Sequence, residues 1–216
     1  MQKKLVIFDF DGVLVRTADI GYTLHLRANP TLTRDYFAKF SDGNFIENIE
    51  RAIREDNYQV QENWDELYHD ELLKLTSHEV IDGLIRDLSA RYMLAIVSSS
   101  MSYHIADFVK KEGLEGCFTE ILGSDVHASK VVKISALLER HGFVPEDAIF
   151  VTDTLGDIRE GNICGVRSIG VTCGTHDRET LALLSGGARL EDIAASWAKD
   201  LAAFEAVAAK IRLYQP

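Results

Sequence analysis

The sequence predicts an α/β fold, a doubly wound parallel sheet with an inserted helical cap domain. Three observations predict it. Short continuous apolar runs recur along the chain, the pattern of strands buried on both faces. Amphipathic helical stretches fall between them, as the crossovers of a parallel sheet require. One long stretch, from Thr17 to Arg91, breaks the alternation: it has helical periodicity and no convincing strand.

The elements follow in chain order. Leu5–Phe8 is the first apolar run. In the insert, "TRDYFAKF" and "NFIENIERAIRE" read as helices separated by the turn "SDG". "QENWDELYHDELLKL" is another, with Trp64, Leu67, Tyr68, Leu72 and Leu75 on one stripe. Trp64 and Tyr68 read as core packing. The second strand is Met93–Val97, and Phe118–Leu122 is a weaker third. Between them, a helix over Tyr103–Glu112 buries Ile105, Phe108 and Val109. A helix over Val131–His141 buries Ile134, Leu137 and Leu138. Ala148–Val151 is the fourth strand, Ile158–Cys164 a short helix and Arg167–Val171 the fifth strand. The alanine-rich tail, Leu190–Leu213, reads as a terminal helix. The expected division is a core from 1–15 and 92–216 and a cap over 16–91.

Composition narrows the function. The chain has 216 residues, enough for one core and a small insert. With 34 acidic against 23 basic residues its net charge is −11, so nucleic acid and acidic membrane surfaces are disfavoured partners. A small anionic substrate remains open, because a bound cation inverts the local field. Cys117, Cys164 and Cys173 have no CxxC spacing, which argues against a zinc or redox motif. The seven histidines form no HxxxH or HxH pair, and His127 and His176 read as surface residues. No 18-residue apolar run exists, and the first strand leaves no room for a signal peptide, so the expected location is the cytoplasm.

In an open parallel sheet, ligands bind outside the carboxyl ends of the strands. Strand one ends in Asp9-Phe10-Asp11-Gly12, strand two in Ser98-Ser99-Ser100, and strand four in Thr152-Asp153-Thr154-Leu155-Gly156-Asp157. Lys130 opens the helix that leads into strand four. Singly, each has an ordinary explanation as a cap, an Asx-turn or a surface lysine. Together, four carboxylates on one edge would repel one another, and some would stay protonated. An oxygen-preferring divalent ion resolves that conflict, and a lysine and hydroxyls beside it form a phosphate site.

These stretches resemble the four motifs of the haloacid dehalogenase superfamily. Asp9-Phe10-Asp11-Gly12-Val13 matches DxDx[TV]. Ser98 stands for the Ser or Thr that closes strand two, Lys130 for the helix-opening lysine, and "TDTLGD" for the acidic pair. The insert falls where that family places its first type of cap. The resemblance implies a Mg²⁺-dependent phosphatase of the phosphoglycolate phosphatase branch, acting on a small phosphorylated metabolite. Asp9 would be the nucleophile and Asp11 the general acid and base. Asp9, Asp11 (through its main-chain carbonyl), Asp153 and Asp157 would hold Mg²⁺. Ser98, Ser99, Lys130 and the backbone around Phe10 and Gly12 would hold the phosphoryl oxygens. Lys133, one turn on from Lys130, stays open as the lysine of the third motif. A β-phosphoglucomutase-type mutase shares these motifs, and a non-catalytic protein on the same scaffold is the remaining alternative. Arg16 stands where many relatives carry Asp, and Asn44, Asn48 and Arg51 share a cap-helix face. Arg16, Asn44 and Asn48 are therefore candidate substrate contacts.

Overall fold

The computed structural model describes residues 4–77, 79–172, 174–176 and 181. The expected tail helix, Leu190–Leu213, and Cys173 lie outside the described residues. Five strands form one parallel sheet: β1 (Leu5–Phe8), β2 (Met93–Val97), β3 (Glu120–Leu122), β4 (Ala148–Thr152) and β5 (Arg167–Gly170), in the order β3-β2-β1-β4-β5. Leu5 pairs with both Met93 and Ala148, so β1 is the central strand. The chain winds outward on one side through β2 and β3, then crosses to β4 on the other. The order therefore reverses between β1 and β4, the switch point where such sheets bind ligands.

Alternation along the strands explains the two layers. Val6, Phe8, Leu94, Ile96, Ile149 and Val151 face one apolar cluster. Leu5, Ile7, Ala95, Val97, Ala148 and Phe150 face the other. Helix α6 (Ser102–Lys111) covers the first face with Ile105, Phe108 and Val109. Helix α7 (Lys130–His141) covers the second with Ile134, Leu137 and Leu138. Each fully buried side chain of this kind contributes about 1.5–3 kcal/mol.

Several boundaries differ from the sequence reading. Strand β3 starts at Glu120, because Phe118 packs edge-on against Phe8 instead of joining the ladder. Strand β5 stops at Gly170. Helix α8 (Leu155–Ile163) begins a turn before Ile158, because Thr154 accepts a hydrogen bond from the Asp157 N–H and caps it. Gly156 and Asp157 in that first turn hide it from an apolar-periodicity reading.

The inserted stretch is helical: α1 (Ala18–Ala28), α2 (Arg34–Ala38) running into a 3₁₀ turn at Lys39–Asp42, α3 (Phe45–Glu55), α4 (Trp64–Leu72) and α5 (Glu79–Ser89). Leu32, Phe40, Ala52 and Tyr58 form a separate small core there. Ile85 and Leu88 of α5 instead join the cluster on the sheet, as do Tyr68 and Leu72 of α4. Among the described residues, no helix is long and apolar enough to cross a membrane.

Candidate active site

Asp9 follows directly on β1, and its N–H extends the ladder by donating to the Val151 carbonyl (2.8 Å). The side chain is buried, and its Oδ1 accepts from the Phe10 N–H (2.7 Å). Lys130 Nζ lies 3.0 Å from Asp9 Oδ2 and 2.6 Å from Asp157 Oδ2. Thr152 Oγ1 donates to the same Asp157 oxygen (2.7 Å). Burial would lower the Lys130 pKa, but Asp157 and Asp9 reverse that and hold it above the ordinary lysine value. Burial also raises Asp157; Lys130 and the hydrogen bonds around it hold this carboxyl below the ordinary value. Asp9 goes the other way: burial drives its carboxyl well above the ordinary range, against the pull of Lys130.

The two candidate lysines separate clearly. Lys133 is also buried, but its Nζ donates to the main-chain carbonyls of Ser98 (2.5 Å) and Gly123 (3.2 Å). Burial and the nearby Lys130 ammonium push it down to about 8. Lys133 thus braces the end of β2 while Lys130 meets the carboxylates.

Asp153, at the end of β4, is fully buried. Its Oδ2 accepts from the Thr175 N–H (2.5 Å), and its Oδ1 has no hydrogen-bond partner. Burial raises its pKa to about 6. Two glycines make room for it: a Cβ on Gly12 would stand 2.2 Å from Asp153 Oδ2, and one on Gly174 2.1 Å. Gly12 also has φ +75°, which a side chain would strain.

Asp11 has different surroundings. Its Oδ1 accepts from Thr17 Oγ1 (2.6 Å) and from the Tyr68 hydroxyl. Its Oδ2 accepts from Ser100 Oγ (2.7 Å) and, more distantly, Ser98 Oγ (3.4 Å). Burial and the Asp11 carboxylate push the Tyr68 hydroxyl well above its usual range, so it stays protonated and donates.

A cavity of about 540 Å³ opens between these strand ends and the inserted helices. Asp9, Asp11, Gly12, Ser99, Ser100, Lys130, Asp153 and Asp157 line its floor. Several sequence expectations do not carry through. Ser98 is buried beneath the cavity, where its Oγ accepts from the Ser100 N–H (3.0 Å), and Ser99 and Ser100 take the surface. The N–H groups of Phe10 and Gly12 do not face outward: one is held by Asp9 and the other by the Val15 carbonyl (2.8 Å), because the loop closes on itself. Phe10 packs its ring edge-on against Phe108. Arg16 is exposed and outside the lining.

Asn44 and Asn48 also miss the cavity. Asn44 caps α3 by accepting from the Glu47 N–H (3.1 Å), and its amide reaches Ala128 O and Glu160 Oε1 (3.2 Å each). Asn48 donates to Phe40 O (2.9 Å) and accepts from Arg51 (2.9 Å). The face of α3 that meets the cavity is Phe45, Ile46, Ile49 and Glu50, one residue round the helix. Among the described residues, no three His, Cys, Asp or Glu side chains stand together as a metal cage. Lys130 occupies the space between Asp9 and Asp157, and hydroxyls surround Asp11.

The sequence reading missed other contributors. Thr152 anchors Asp157 through its hydroxyl. Tyr68 belongs to the apolar cluster, as expected, yet its hydroxyl reaches Asp11. Glu160 accepts from the Lys130 N–H (3.0 Å) and from Asn44, tying α7 to the insert. His176, expected at the surface, is buried: its Nδ1 accepts from the Leu155 N–H (3.0 Å). Gly156 lets α8 touch the insert, since a Cβ there would stand 2.1 Å from the Gly43 carbonyl oxygen.

Comparison with known proteins gives the family and the fold. The family profile described as haloacid dehalogenase-like hydrolase matches residues 6–171. A phosphoglycolate phosphatase of Aliivibrio fischeri is 25% identical over 201 residues, covering 83% of this chain and 88% of its own. One from Mesorhizobium japonicum is 28% identical over 200 residues, covering 82% and 86%. Among solved structures, CbbY from Rhodobacter sphaeroides in complex with phosphate superposes with a TM-score of 0.68 at 18% identity, covering 85% of this chain and 91% of that one. At that identity the likeness speaks for the fold.

Proposed function

The chain belongs to the haloacid dehalogenase-like hydrolase family, and from that premise we propose that it is a Mg²⁺-dependent phosphatase hydrolysing a small phosphomonoester. The observation that carries the reading is the buried Lys130–Asp9 pair (3.0 Å) at the switch point of the sheet. An ammonium there offsets the repulsion between a carboxylate nucleophile and a phosphate dianion.

In this reading an Asp9 carboxylate oxygen attacks phosphorus, and the bond from phosphorus to the leaving oxygen breaks. Asp11 gives that oxygen its proton, and the alcohol departs. Asp11 then takes a proton from water. The water oxygen attacks the aspartyl-phosphate, inorganic phosphate leaves and Asp9 is restored. Thr17, Tyr68 and Ser100 orient Asp11 between the two steps. Lys130, Ser99 and Ser100 face the phosphoryl oxygens, and Ser98 acts through its hold on the Ser100 N–H.

The residues present suit a hard divalent cation. Asp153 Oδ1 is a buried carboxylate oxygen with no partner, and Asp9 and Asp157 share one lysine. Asp9, Asp153 and the Asp11 main-chain carbonyl would hold Mg²⁺, with Asp157 alongside. When bound, the ion neutralises charge on the phosphoryl oxygens. The relatives named phosphoglycolate phosphatase support the reaction class. The setting we assign is the cytoplasm, in keeping with the free thiols of Cys117 and Cys164.

The test is release of inorganic phosphate from phenyl phosphate, with and without Mg²⁺, by wild type and Asp9→Asn. We expect metal-dependent release that the substitution lowers by at least about three orders of magnitude. Turnover that survives Asp9→Asn overturns the assignment of the nucleophile. Turnover indifferent to Mg²⁺ and to EDTA overturns the metal.

A further inference from the structure

The cavity has a floor suited to phosphate and a roof suited to something else. The insert contributes Phe37, Phe45, Ile46, Ile49, Val60 and Trp64 to its lining. The ionised groups it adds are Glu50 and Asp65, both acidic and both exposed at the rim. Among the described residues, Lys130 is the only lysine or arginine in the lining, and Asp9 and Asp157 already engage it at the phosphoryl end. The exposed Arg16 stands outside the cavity, and Arg51 is turned to Asn48.

His25 reaches the roof but supplies no charge. It is buried against Trp64, with ring centroids 4.1 Å apart, and neither ring nitrogen has a hydrogen-bond partner. Burial lowers its pKa to about 4, so at neutral pH it is one more apolar ring. A second anion on the substrate would face this roof without a counter-charge, next to two carboxylates, and an unpaired buried carboxylate is costly. The volume, about 540 Å³, is that of a site for a ring-sized ligand, well beyond a two-carbon acid.

The geometry points to a substrate class: the phosphate monoester of an uncharged, ring-bearing alcohol, with the phosphate on Lys130 and the ring against Trp64, Phe37 and Phe45. The glycolate moiety of phosphoglycolate, with its carboxylate, is disfavoured. This inference rests on the phosphatase reading, and it separates this chain from relatives named for phosphoglycolate.

The deciding experiment compares kcat/KM for benzyl phosphate and 2-phosphoglycolate, both primary alkyl esters, in Mg²⁺-loaded enzyme. Benzyl phosphate should be preferred by about tenfold or more, the scale on which a pocket rejects an unpaired polar group. Ile46→Arg, which adds a cation to the roof, should move the ratio toward phosphoglycolate by about tenfold. Val60→Arg serves the same purpose at a more exposed position if Ile46→Arg does not fold. Equal or better turnover of phosphoglycolate by wild type overturns the inference and leaves the phosphatase reading standing. If neither ester nor phenyl phosphate is hydrolysed, the phosphatase reading fails. Calorimetry with benzylphosphonate and phosphonoacetate then judges the roof alone: tighter binding of benzylphosphonate supports the inference, and the reverse order overturns it.

Discussion

The floor and the roof of the cavity are made of opposite materials, and they come from different stretches of the chain. The floor gathers Asp9, Asp153, Asp157 and Lys130 at the ends of β1 and β4 and the starts of α7 and α8. Its charges are buried, and each has a defined neighbour except the free oxygen of Asp153. The roof comes from the insert, part of which has a small aromatic core of its own, and its rings meet the cavity with no lysine or arginine beside them among the described residues. In the proposed reading, reaction chemistry and substrate choice thus fall to different parts of the chain. Glu160 and Gly156 join them at one side, and Tyr68 joins them at Asp11. An insert can change its lining without disturbing the carboxylates.

The sharpest way to break this comparison is to remove the floor's cation. Lys130→Met should lower turnover by about 10³-fold, on the scale of losing one preorganised charge at a reacting group. It should also destabilise the protein by about 3–5 kcal/mol, because two buried carboxylates lose their partner. Lys133→Met should spare most of the turnover, since that ammonium meets carbonyls only. Steady-state kinetics and denaturant melts of both variants test the contrast.

The roof should show itself in stability against pH. His25 sits at about 4 folded against an ordinary 6.5, so between those values the unfolded chain binds the extra proton. Stability is therefore lost as pH falls from 6.5 toward 4, and at pH 5 the deficit reaches about 2 kcal/mol. His25→Phe should remove that share of the acid sensitivity, measured as the difference between the two proteins' unfolding free energies at pH 7 and pH 5.

Tyr68 tests the join. Tyr68→Phe removes one donor from Asp11 and keeps the ring in the apolar cluster. We expect kcat to fall by about tenfold with little change in KM, the pattern of a residue that positions the acid and base. An unchanged kcat would detach Tyr68 from the chemistry. The smallest effect belongs to Arg16: Arg16→Ala should alter kcat/KM by less than about twofold, because an exposed side chain outside the lining adds little to a buried site.

Much of the floor was legible in the sequence because strand ends are short-range facts. An apolar run that stops at Asp9, or at Thr152 and Asp153, puts those residues on the carboxyl edge whatever the rest of the chain does. The helix phase of Ile134, Leu137 and Leu138 likewise placed Lys130 at the start of α7. The loop conformation was not legible: the Phe10 and Gly12 N–H groups turn inward because the backbone closes through Val15. The cap asparagines failed for a similar reason. Polar spacing marked the face of α3 carrying Asn44 and Asn48, but packing against Phe40 and Glu160 turned the neighbouring face to the cavity.

The sequence by itself determined the order of strands and helices, the inserted helical segment and the acidic residues at the sheet's edge. Those follow from periodicity and from the residue types that end each run. Only the tertiary structure decided which of two buried lysines meets Asp9, which serine lines the cavity and which side chains form the roof. Each of these depends on contacts between segments far apart in the chain, such as Lys130 with Asp9 and Tyr68 with Asp11. Local pattern carries no information on how two such segments are turned toward each other; the packed core between them sets it.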